Sequence, residues 1–456
     1  MPQAWVIGLG KSGFAAAALL KARGWQVWAS DRRAGQTSDQ SSRELTERQQ
    51  QLLSQQVEVT LGFDLILQGI DLSRPLPELI VVSPGINWHH PTLIQARQLQ
   101  IQVWGEAELG WQYLKQLPWV GVTGTNGKTT TTAMIAQIFQ EAGFLAPACG
   151  NIGLPISEVA LQGHPDWVIA ELSSYQIEAS NICCEIGVWT TFTPDHLSRH
   201  GDLAGYSEIK ASLLRSAAQR VVNRADPYLA ANAERLLGEN LVWTDTQAAC
   251  NQGADISGGW VRFRSEPVLE LAQFGLPGEH NLQNLLMAVA VARLAGIESK
   301  VIAEAIAKFR GVPHRLELVG CWQGLTFIND SKATNFDAAW VGLQAVNPPV
   351  ILIAGGEDKA GDPAAWLELI QSKVTVVLLI GAASDRFGQM LDLVNFSSYW
   401  QVETLTAALD WVKLHAKPEA TVLFSPACAS FDQYDNFEQR GDHFRTLVLE
   451  RFAPWN

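Results

Sequence analysis

Residues 120–130 of this chain have the types and the spacing that bind a nucleotide triphosphate. An apolar, strand-like stretch is followed by glycines at positions 121, 124 and 127 and then by Lys128 and Thr129. Apolar residues at helical spacing continue from there to residue 141. In such a strand, loop and helix, backbone N–H groups and the helix N-terminus attract phosphate. The lysine reaches the β- and γ-phosphates, and the threonine hydroxyl contacts Mg²⁺.

The loop departs from the common phosphate-loop pattern at one position. The pattern Gly-x-x-x-x-Gly-Lys-[Ser/Thr] places glycine at position 122, where this chain has valine. A glycine-rich turn that binds nothing is the alternative, but Gly-Lys-Thr lies between a predicted strand and a predicted helix. We therefore predict that the triphosphate is bound by Gly124, Thr125, Asn126, Gly127, Lys128, Thr129 and Thr130.

A second glycine turn lies near the N-terminus. Gly8, Gly10 and Gly13 have Gly-x-Gly-x-x-Gly spacing after a predicted strand at residues 4–7. Asp31 follows at the end of the next predicted strand, where dinucleotide-binding folds carry an acidic ribose contact. Taken alone, the turn suggests a nicotinamide-dependent oxidoreductase. Many doubly wound domains hold other nucleotide diphosphates with the same turn, so this motif alone does not decide between them.

Polar residues follow several predicted buried strands. Glu171 follows the strand at residues 167–170, and Asp195-His196 follows the strand at residues 186–192. Ligands of an open α/β sheet collect at the carboxyl ends of its strands. An acidic residue there, in a domain with a phosphate loop, is an expected Mg²⁺ ligand.

Strands alternate with helices along most of the 456 residues, which is too long for one hydrophobic core. Residues 240–275 are the exception, because their short alternating segments predict antiparallel strands. We predict an α/β protein with three domains. These are a Rossmann-like domain at residues 1–105, a central domain resembling phosphate-loop ATPases at 106–310, and a Rossmann-like α/β domain at 311–456.

Composition excludes several classes of protein. The net charge of −13, from 46 acidic and 33 basic residues, argues against a nucleic-acid or membrane-surface role. The longest apolar runs have strand length, and the N-terminus enters a strand with no export signal. Six cysteines without Cys-x-x-Cys spacing fit reduced thiols. We expect a cytoplasmic protein.

Two runs in the last predicted domain resemble the Mur ligase family. They are Asn-Asp-Ser-Lys-Ala-Thr-Asn at residues 329–335 and Ser-Pro-Ala-Cys-Ala-Ser-Phe-Asp-Gln-Tyr-Asp-Asn-Phe-Glu-Gln-Arg-Gly at residues 425–441. The resemblance covers essentially the whole chain. The phosphate loop is less specific, because folylpolyglutamate synthases share it.

The resemblance implies an ATP-dependent ligase of cytoplasmic peptidoglycan precursor synthesis. The first domain would bind UDP, so that its glycine turn holds a UDP diphosphate and needs no nicotinamide. The second would bind ATP, and the third would close over the site with the incoming amino acid. ATP would phosphorylate the terminal carboxylate of UDP-N-acetylmuramoyl-L-alanine, and the amine of D-glutamate would attack the acyl phosphate.

The resemblance also implies two Mg²⁺ ions. Thr129 and Glu171 would hold one, and His196 and Lys210 the other. Lysine cannot ligate a metal as an ammonium, so a carbamylated Lys210 is expected. The family usually has an acidic residue two positions after this histidine, whereas this chain has Ser198, which removes a charge near the second ion.

The remaining site residues implied by the resemblance fall into three groups. Catalysis would use Lys128, His196, Lys210 and Lys332, and the nucleotide would also contact Asn281, Arg315 and Asp330. The UDP substrate would contact Leu9, Gly10, Lys11, Ser12, Asp31, Arg32, Ser83, Gly85, Asn151 and Ser173. D-glutamate would contact Thr334, Lys359, Ser425 and Phe431.

Three alternatives stay open at the level of the sequence. A sibling ligase, or one like folylpolyglutamate synthase, would add another amino acid, although Lys359 and the run at 425–441 argue for D-glutamate. A nicotinamide oxidoreductase would leave the phosphate loop unexplained. A non-catalytic nucleotide-binding protein would not need His196, Lys210 and Lys332 together. We expect a monomer without nucleic-acid or membrane partners.

Overall fold

The computed structural model describes residues 1–33, 40–63, 76–194, 202–276, 278–358 and 361–453. The chain divides into two compact units, Met1–Phe309 and Arg310–Asn456. No helix within the described ranges is long and apolar enough to cross a bilayer.

The first sheet is parallel and consists, over the described residues, of β1 (Gln3–Ile7), β2 (Gln26–Asp31), β3 (Glu58–Leu61), β4 (Leu79–Val82) and β5 (Gln102–Gly105). Its helices are α1 (Lys11–Ala22), α2 (Gln40–Ser54), α3 (Pro91–Gln98) and α4 (Glu106–Leu114). The strand order is β3-β2-β1-β4-β5, so the chain moves outward from β1 on one side and returns beside it at β4. The carboxyl ends of β1 and β4 therefore flank the crevice at which open α/β sheets bind ligands.

The second sheet also belongs to the first unit. Its described strands are β6 (Trp119–Thr123), β7 (Ala148–Gly150), β8 (Val168–Glu171), β9 (Ile186–Trp189), β10 (Gln219–Asn223), β11 (Val242–Asp245), β12 (Ala254–Ser257), β13 (Trp260–Phe263) and β14 (Glu266–Glu270). Its helices are α5 (Lys128–Glu141), α6 (Ile156–Gln162), α7 (Ser174–Glu178), α8 (Leu203–Arg215), α9 (Pro227–Leu237), α10 (Glu279–Leu294) and α11 (Ser299–Lys308).

The strand order of this sheet is β14-β13-β12-β11-β10-β9-β6-β8-β7. It is parallel as far as β12, and β12 to β14 are antiparallel, as predicted for residues 240–275. The prediction was wrong for β11 in the same stretch, which pairs parallel with β10 and β12. β6 lies between β8 and β9 and is fully buried. Its loop therefore emerges between the carboxyl ends of these two neighbours.

The third sheet lies in the second unit. Its described strands are β15 (Glu317–Trp322), β16 (Leu325–Asn329), β17 (Val350–Gly355), β18 (Val374–Ile380), β19 (Tyr399–Glu403) and β20 (Thr421–Phe424), and its helices are α12 (Phe336–Gln344), α13 (Ala364–Lys373), α14 (Ser384–Leu393), α15 (Leu405–His415) and α16 (Phe437–Phe452). The order is β15-β16-β20-β17-β18-β19, with only β15 antiparallel in the described sheet. The carboxyl ends of β16, β20 and β17 are neighbours.

These sheets confirm the predicted α/β class with parallel-dominated sheets. A side-chain cap sets the start of α8, which periodicity alone cannot locate. This helix begins at Leu203 because the Asp202 carboxylate accepts the Gly205 N–H at 2.8 Å. The domain limits at residues 105 and 310 stay predictions.

Candidate active site

The phosphate loop between β6 and α5 needs glycine at two positions. Gly124 has a φ of +147°, and a Cβ there would lie 2.0 Å from Thr190 Oγ1. Gly127 has a φ of +81°, and its Cβ would lie 2.5 Å from Asn284 Oδ1. Val122 is a fully buried residue within β6, ahead of the turn. The departure from the common pattern therefore lies in the strand, where glycine has no conformational role.

Lys128 and Thr129 open α5 directly after Gly127. The first N–H groups of a helix have no acceptor in the preceding turn, and the helix dipole favours an anion there. Lys128 Nζ donates to Thr125 O at 2.8 Å, so the lysine lies over the loop. Thr129 is buried, and Thr130 is half-buried in the same turn.

Glu171 ends β8 in register with Val122 of β6 and is 1% exposed. Its Oε1 accepts the Asn151 side-chain N–H at 2.6 Å, and Asn151 N–H also donates to Glu171 O at 2.9 Å. Glu171 Oε2 is buried and accepts no hydrogen bond from any described residue. An unpartnered buried carboxylate oxygen is costly, and a cation beside the loop would satisfy it.

Lys210 lies on α8 and is also 1% exposed. Its Nζ donates to Gly124 O at 2.9 Å and lies 4.5 Å from the centroid of the Tyr206 ring. The structure thus brings Lys210 to the phosphate loop, 86 positions away in the chain. His196 and Ser198 lie outside the described residues. Within those residues, no group of three or more His, Cys, Asp or Glu side chains is placed to hold a metal ion.

Two further predicted site residues, Ser173 and Asn281, make hydrogen bonds at the starts of α7 and α10. Ser173 forms a capping box at the start of α7, in which its Oγ accepts Gln176 N–H at 3.3 Å and Gln176 Oε1 accepts Ser173 N–H at 3.0 Å. Asn281 lies in the first turn of α10, where its N–H donates to Gly278 O.

The N-terminal glycine turn is held by contacts that exclude larger residues. A Cβ at Gly13 would lie 1.7 Å from Gly8 O, and Gly8 has a φ of +88°. The Ser83 hydroxyl, at the end of β4, donates to the same Gly8 oxygen at 3.0 Å. Gly13 and Ser83 therefore hold Gly8 in place from the α1 side and the β4 side of the crevice between β1 and β4.

The Asp31 carboxylate supports this turn. It accepts Leu9 N–H at 2.8 Å and both the N–H and the guanidinium of Arg33 at 2.9–3.0 Å. Burial alone would raise the pKa of Asp31, but the hydrogen bonds from Arg33 and from the Leu9 N–H outweigh it, and the pKa lies below its usual value.

A cavity of about 490 Å³ opens at this crevice. Five of the predicted UDP contacts line it, namely Gly10, Asp31, Arg32, Ser83 and Gly85. Phe63, Ile86, Asn87 and His90 also line it and were not predicted. Leu9, Lys11 and Ser12 lie on the adjoining turn and first helical turn, but they do not line this cavity.

In the second unit, Asp330 and Ser425 bond to each other at neighbouring strand ends. Ser425 Oγ–H donates to Asp330 Oδ2 at 2.8 Å, and Leu316 N–H donates to Oδ1 at 3.1 Å. Burial raises the pKa of Asp330 to about 7 despite these bonds. The adjoining residues Arg315 and Lys332 are half-buried.

The predicted D-glutamate contacts differ in exposure. Thr334 is half-buried, Ser425 is fully buried, and Phe431 is 57% exposed. Lys359 lies outside the described residues.

Arg440 is a buried residue of this unit that sequence reasoning missed. Its guanidinium donates to Ser331 Oγ and O, Ala429 O and Cys428 O at 2.8–3.0 Å. These bonds join the loop after β16 to the loop after β20. The Gln-Arg-Gly at the end of the run at residues 425–441 was the available signal, but the partners of a buried arginine cannot be read from its neighbours in sequence.

Comparison with known proteins matches the chain to three family models. Residues 2–105 match the Mur ligase MurD-like N-terminal domain, residues 122–292 the Mur ligase middle domain, and residues 314–428 the Mur ligase glutamate ligase domain.

Similar full-length proteins carry one name. A protein of Trichormus variabilis is 52% identical over 466 residues, which covers 99% of each chain, and one of Synechococcus elongatus is 54% identical with 98% of each chain covered. Both are named "UDP-N-acetylmuramoylalanine--D-glutamate ligase".

Solved structures share the fold at low identity. The UDP-N-acetylmuramate-alanine ligase of Thermotoga maritima matches with a TM-score of 0.59 and 18% identity over 99% of each chain. A pseudomurein peptide ligase of Methanothermus fervidus matches with a TM-score of 0.54 and 19% identity over 99% of this chain and 100% of that one.

Proposed function

This chain belongs to the Mur ligase family, and from that premise we propose that it is an ATP-dependent ligase that joins D-glutamate to UDP-N-acetylmuramoyl-L-alanine. The observation that carries the proposal is its 52–54% identity, over almost the whole length of both chains, to relatives named for that reaction. The phosphate loop of the first unit supports it with geometry suited to ATP.

The proposed reaction has two steps. The terminal alanyl carboxylate attacks the γ-phosphorus of ATP and releases ADP, which leaves an acyl phosphate. The amine of D-glutamate attacks the acyl carbon, and the tetrahedral intermediate collapses to an amide and inorganic phosphate. The incoming amine loses a proton, so a base must accept it. Three anionic reactants meet in this scheme, and cationic groups must be held where negative charge develops.

The loop residues supply part of this charge. Gly127 and the start of α5 direct backbone N–H groups and the helix dipole toward the triphosphate. The Lys128 ammonium exchanges its contact with Thr125 O for the β- and γ-phosphates. Binding in this way orients the γ-phosphorus toward the carboxylate that attacks it.

We propose that Thr129 and Glu171 hold one Mg²⁺ ion. The support is the buried Glu171 Oε2, which has no partner among the described residues, and oxygen ligands are those that Mg²⁺ prefers. When bound, the ion neutralises phosphate charge and polarises the γ-phosphoryl group. Asn151 would orient the carboxylate through its hydrogen bond to Oε1.

We propose that His196 and a carbamylated Lys210 hold a second Mg²⁺ ion. The burial of Lys210 at the phosphate loop supports this role, because a carbamate there would be an anionic oxygen ligand for a cation beside the loop. Lys332 would contact phosphate, and Asn281, Arg315 and Asp330 would contact the nucleotide.

The substrates would occupy the two remaining groups of residues. The UDP moiety would bind at the cavity between β1 and β4, whose lining combines apolar side chains with polar and cationic ones, a mixture that suits a nucleotide. Ser173 and Asn151 would lie at the alanyl end. Thr334, Lys359, Ser425 and Phe431 would receive D-glutamate. A UDP diphosphate on the N-terminal turn makes a nicotinamide unnecessary.

We also propose that the protein is a cytoplasmic monomer. All six cysteines lie in the part of the chain that the structure describes and none forms a disulfide there, which suits a reducing compartment. Light scattering on the purified protein is expected to give the mass of one chain, and a stable larger species would contradict the monomer.

The function is tested by phosphate release with ATP, Mg²⁺ and UDP-N-acetylmuramoyl-L-alanine. Phosphate and a new amide are expected with D-glutamate and not with L-glutamate, L-lysine or meso-diaminopimelate. Phosphate release that prefers another amino acid would indicate a sibling ligase. Bound nucleotide without phosphate release for any amino acid would indicate a binding protein.

A further inference from the structure

The chain that follows β9 is bonded to the first half of the phosphate loop. Thr190 N–H donates to Thr123 O, and Thr125 N–H donates to Thr191 O, both at 2.9 Å. The ladder between β6 and β9 therefore continues past the last strand residues into the loop itself. The amide of Thr125 is thereby directed at Thr191 rather than at a ligand.

The Thr191 hydroxyl extends this contact with two hydrogen bonds to Asn126. Its Oγ1 accepts the Asn126 N–H at 2.9 Å and donates to Asn126 O at 3.2 Å. A hydroxyl has one proton and two lone pairs, so it can make both bonds at once. The Thr190 hydroxyl reaches the same Asn126 oxygen. Asn126 is exposed at the tip of the loop, and these two hydroxyls hold its backbone in place.

The loop is fixed on its other side by α10. Asn284 Oδ1 accepts the Thr131 hydroxyl at 3.1 Å and lies against Gly127, where no Cβ would fit. The backbone on both sides of the loop tip is therefore held by the protein itself, by Thr191 at Thr125 and Asn126 and by Asn284 beside Gly127.

We propose that Thr191 is a positioning residue, which holds the phosphate loop in its nucleotide-binding shape before ATP arrives. A loop that is ordered in advance does not lose conformational freedom on binding, so the binding free energy is larger. The role deepens the proposed function, because it specifies how this chain prepares its own nucleotide site. It predicts an effect on nucleotide affinity and little effect on the other two substrates.

The test compares Thr191→Val, which keeps the shape and removes the hydroxyl, with Thr191→Ser, which keeps the hydroxyl. Calorimetric titration with ADP and Mg²⁺ is expected to show roughly tenfold weaker binding by Thr191→Val, or about 1.4 kcal/mol. The KM for ATP is expected to rise in parallel, with unchanged KM values for D-glutamate and the UDP substrate. Thr191→Ser should bind within about twofold of wild type, since its hydroxyl can make both bonds.

Thr375→Val is the matched control, because it removes a threonine hydroxyl that bonds a strand carbonyl, Val350 O, in the second unit. It should leave ADP affinity unchanged. If Thr191→Val does not fold, Thr191→Ala removes the hydroxyl without placing a methyl against the Asn126 amide, and the same tenfold loss is expected.

Wild-type ADP affinity in the folded hydroxyl-free variant, whichever of Thr191→Val or Thr191→Ala is used, would overturn the proposal. An equal loss in Thr191→Ser, or a joint rise of all three KM values, would do so as well. If wild-type protein forms no amide, the proposed function fails, whereas the ADP titration still decides the role of Thr191.

Discussion

Lys128 contacts the loop at Thr125 O, and the proposed mechanism requires the lysine to exchange this oxygen for phosphate. We predict that Lys128→Ala lowers kcat/KM for ATP by about 10²–10³-fold, the loss typical of removing one group that stabilises developing charge. Phosphate release at saturating D-glutamate measures this. Lys300→Ala, which removes an exposed lysine of α11, is the control and should be fully active. Near-normal turnover of Lys128→Ala would remove the loop from the mechanism.

Substitution of Lys210 tests the proposed carbamate. Lys210→Ala is predicted to be inactive and to regain activity when a short carboxylic acid such as acetate is added, because the acid fills the space and supplies the missing carboxylate. Activity is measured against acid concentration. Lys128→Ala should show no such recovery, since it lacks a cation rather than an anion. A Lys210→Ala protein that the acid does not reactivate would contradict the carbamate.

The raised pKa of Glu106 predicts that the stability of the protein depends on pH. Burial raises its pKa from 4.5 to about 7, although Glu106 Oε1 accepts the Ser157 N–H at 2.6 Å. The folded state binds the Glu106 proton more tightly than the unfolded state does. The free energy of unfolding therefore contains a stabilising contribution from Glu106 below pH 4.5, and this contribution is lost as the pH rises to about 7. The loss is of order 3 kcal/mol, at 1.36 kcal/mol per pKa unit.

Glu106→Gln removes the titration and keeps the acceptor oxygen. The unfolding midpoint of this variant relative to wild type is expected to increase from pH 5 to pH 7 and to level off above pH 7. Asp330 titrates in both proteins, so its contribution cancels. Glu239→Gln, which changes an exposed glutamate in the same unit, is the control. A constant difference between Glu106→Gln and wild type over this range would contradict the assigned pKa.

At the scale of elements, the glycine turn after β1 offers a matched pair of substitutions. Gly13→Ala places a Cβ 1.7 Å from Gly8 O, whereas Gly10 has a φ of −65° and no atom of the described residues within 4 Å of its Cβ position. We predict that Gly13→Ala lowers stability by more than about 3 kcal/mol, or prevents folding, because backbone must move. Gly10→Ala should change stability by less than about 1 kcal/mol. Urea unfolding of both variants measures the contrast, and equal midpoints would contradict the close approach of Gly13 to Gly8.

Local signals in the sequence explain which parts of the fold and the candidate site could be predicted. Gly124 and Gly127 mark a turn because each has a positive φ, which is a local requirement, and strand ends attract polar residues in any open α/β sheet. The phosphate loop, Glu171 and the three α/β sheets followed from such local signals.

Contacts between distant segments could not be predicted. Thr191 bonds to Asn126 across 65 positions, and Arg440 bonds to Ser331 across 109 positions. Thr191 lay inside a strand predicted to reach residue 192, whereas β9 ends at Trp189 and leaves the threonine to face the loop. The hydrogen bonds that Asp31 accepts from Leu9 and Asp330 accepts from Ser425 also join distant segments, and the spacing of residues in the sequence does not reveal them.

At the scale of the whole molecule, each of the three sheets carries polar groups at the carboxyl ends of its parallel strands. The first unit carries the predicted UDP contacts and the phosphate loop, and the second carries the predicted D-glutamate contacts together with Arg315, Asp330 and Lys332. The net charge of −13 opposes the approach of anionic substrates, so affinity must come from the local cationic and N–H groups described above.

The central claim is that this chain activates an alanyl carboxylate with ATP and captures it with D-glutamate. It is tested most directly with UDP-N-acetylmuramoyl-L-alanine in which both oxygens of the terminal carboxylate are ¹⁸O. After incubation with ATP, Mg²⁺ and D-glutamate, mass spectrometry is expected to show the amide product and one ¹⁸O atom in each phosphate released. Unlabelled phosphate, or no amide, would contradict this mechanism.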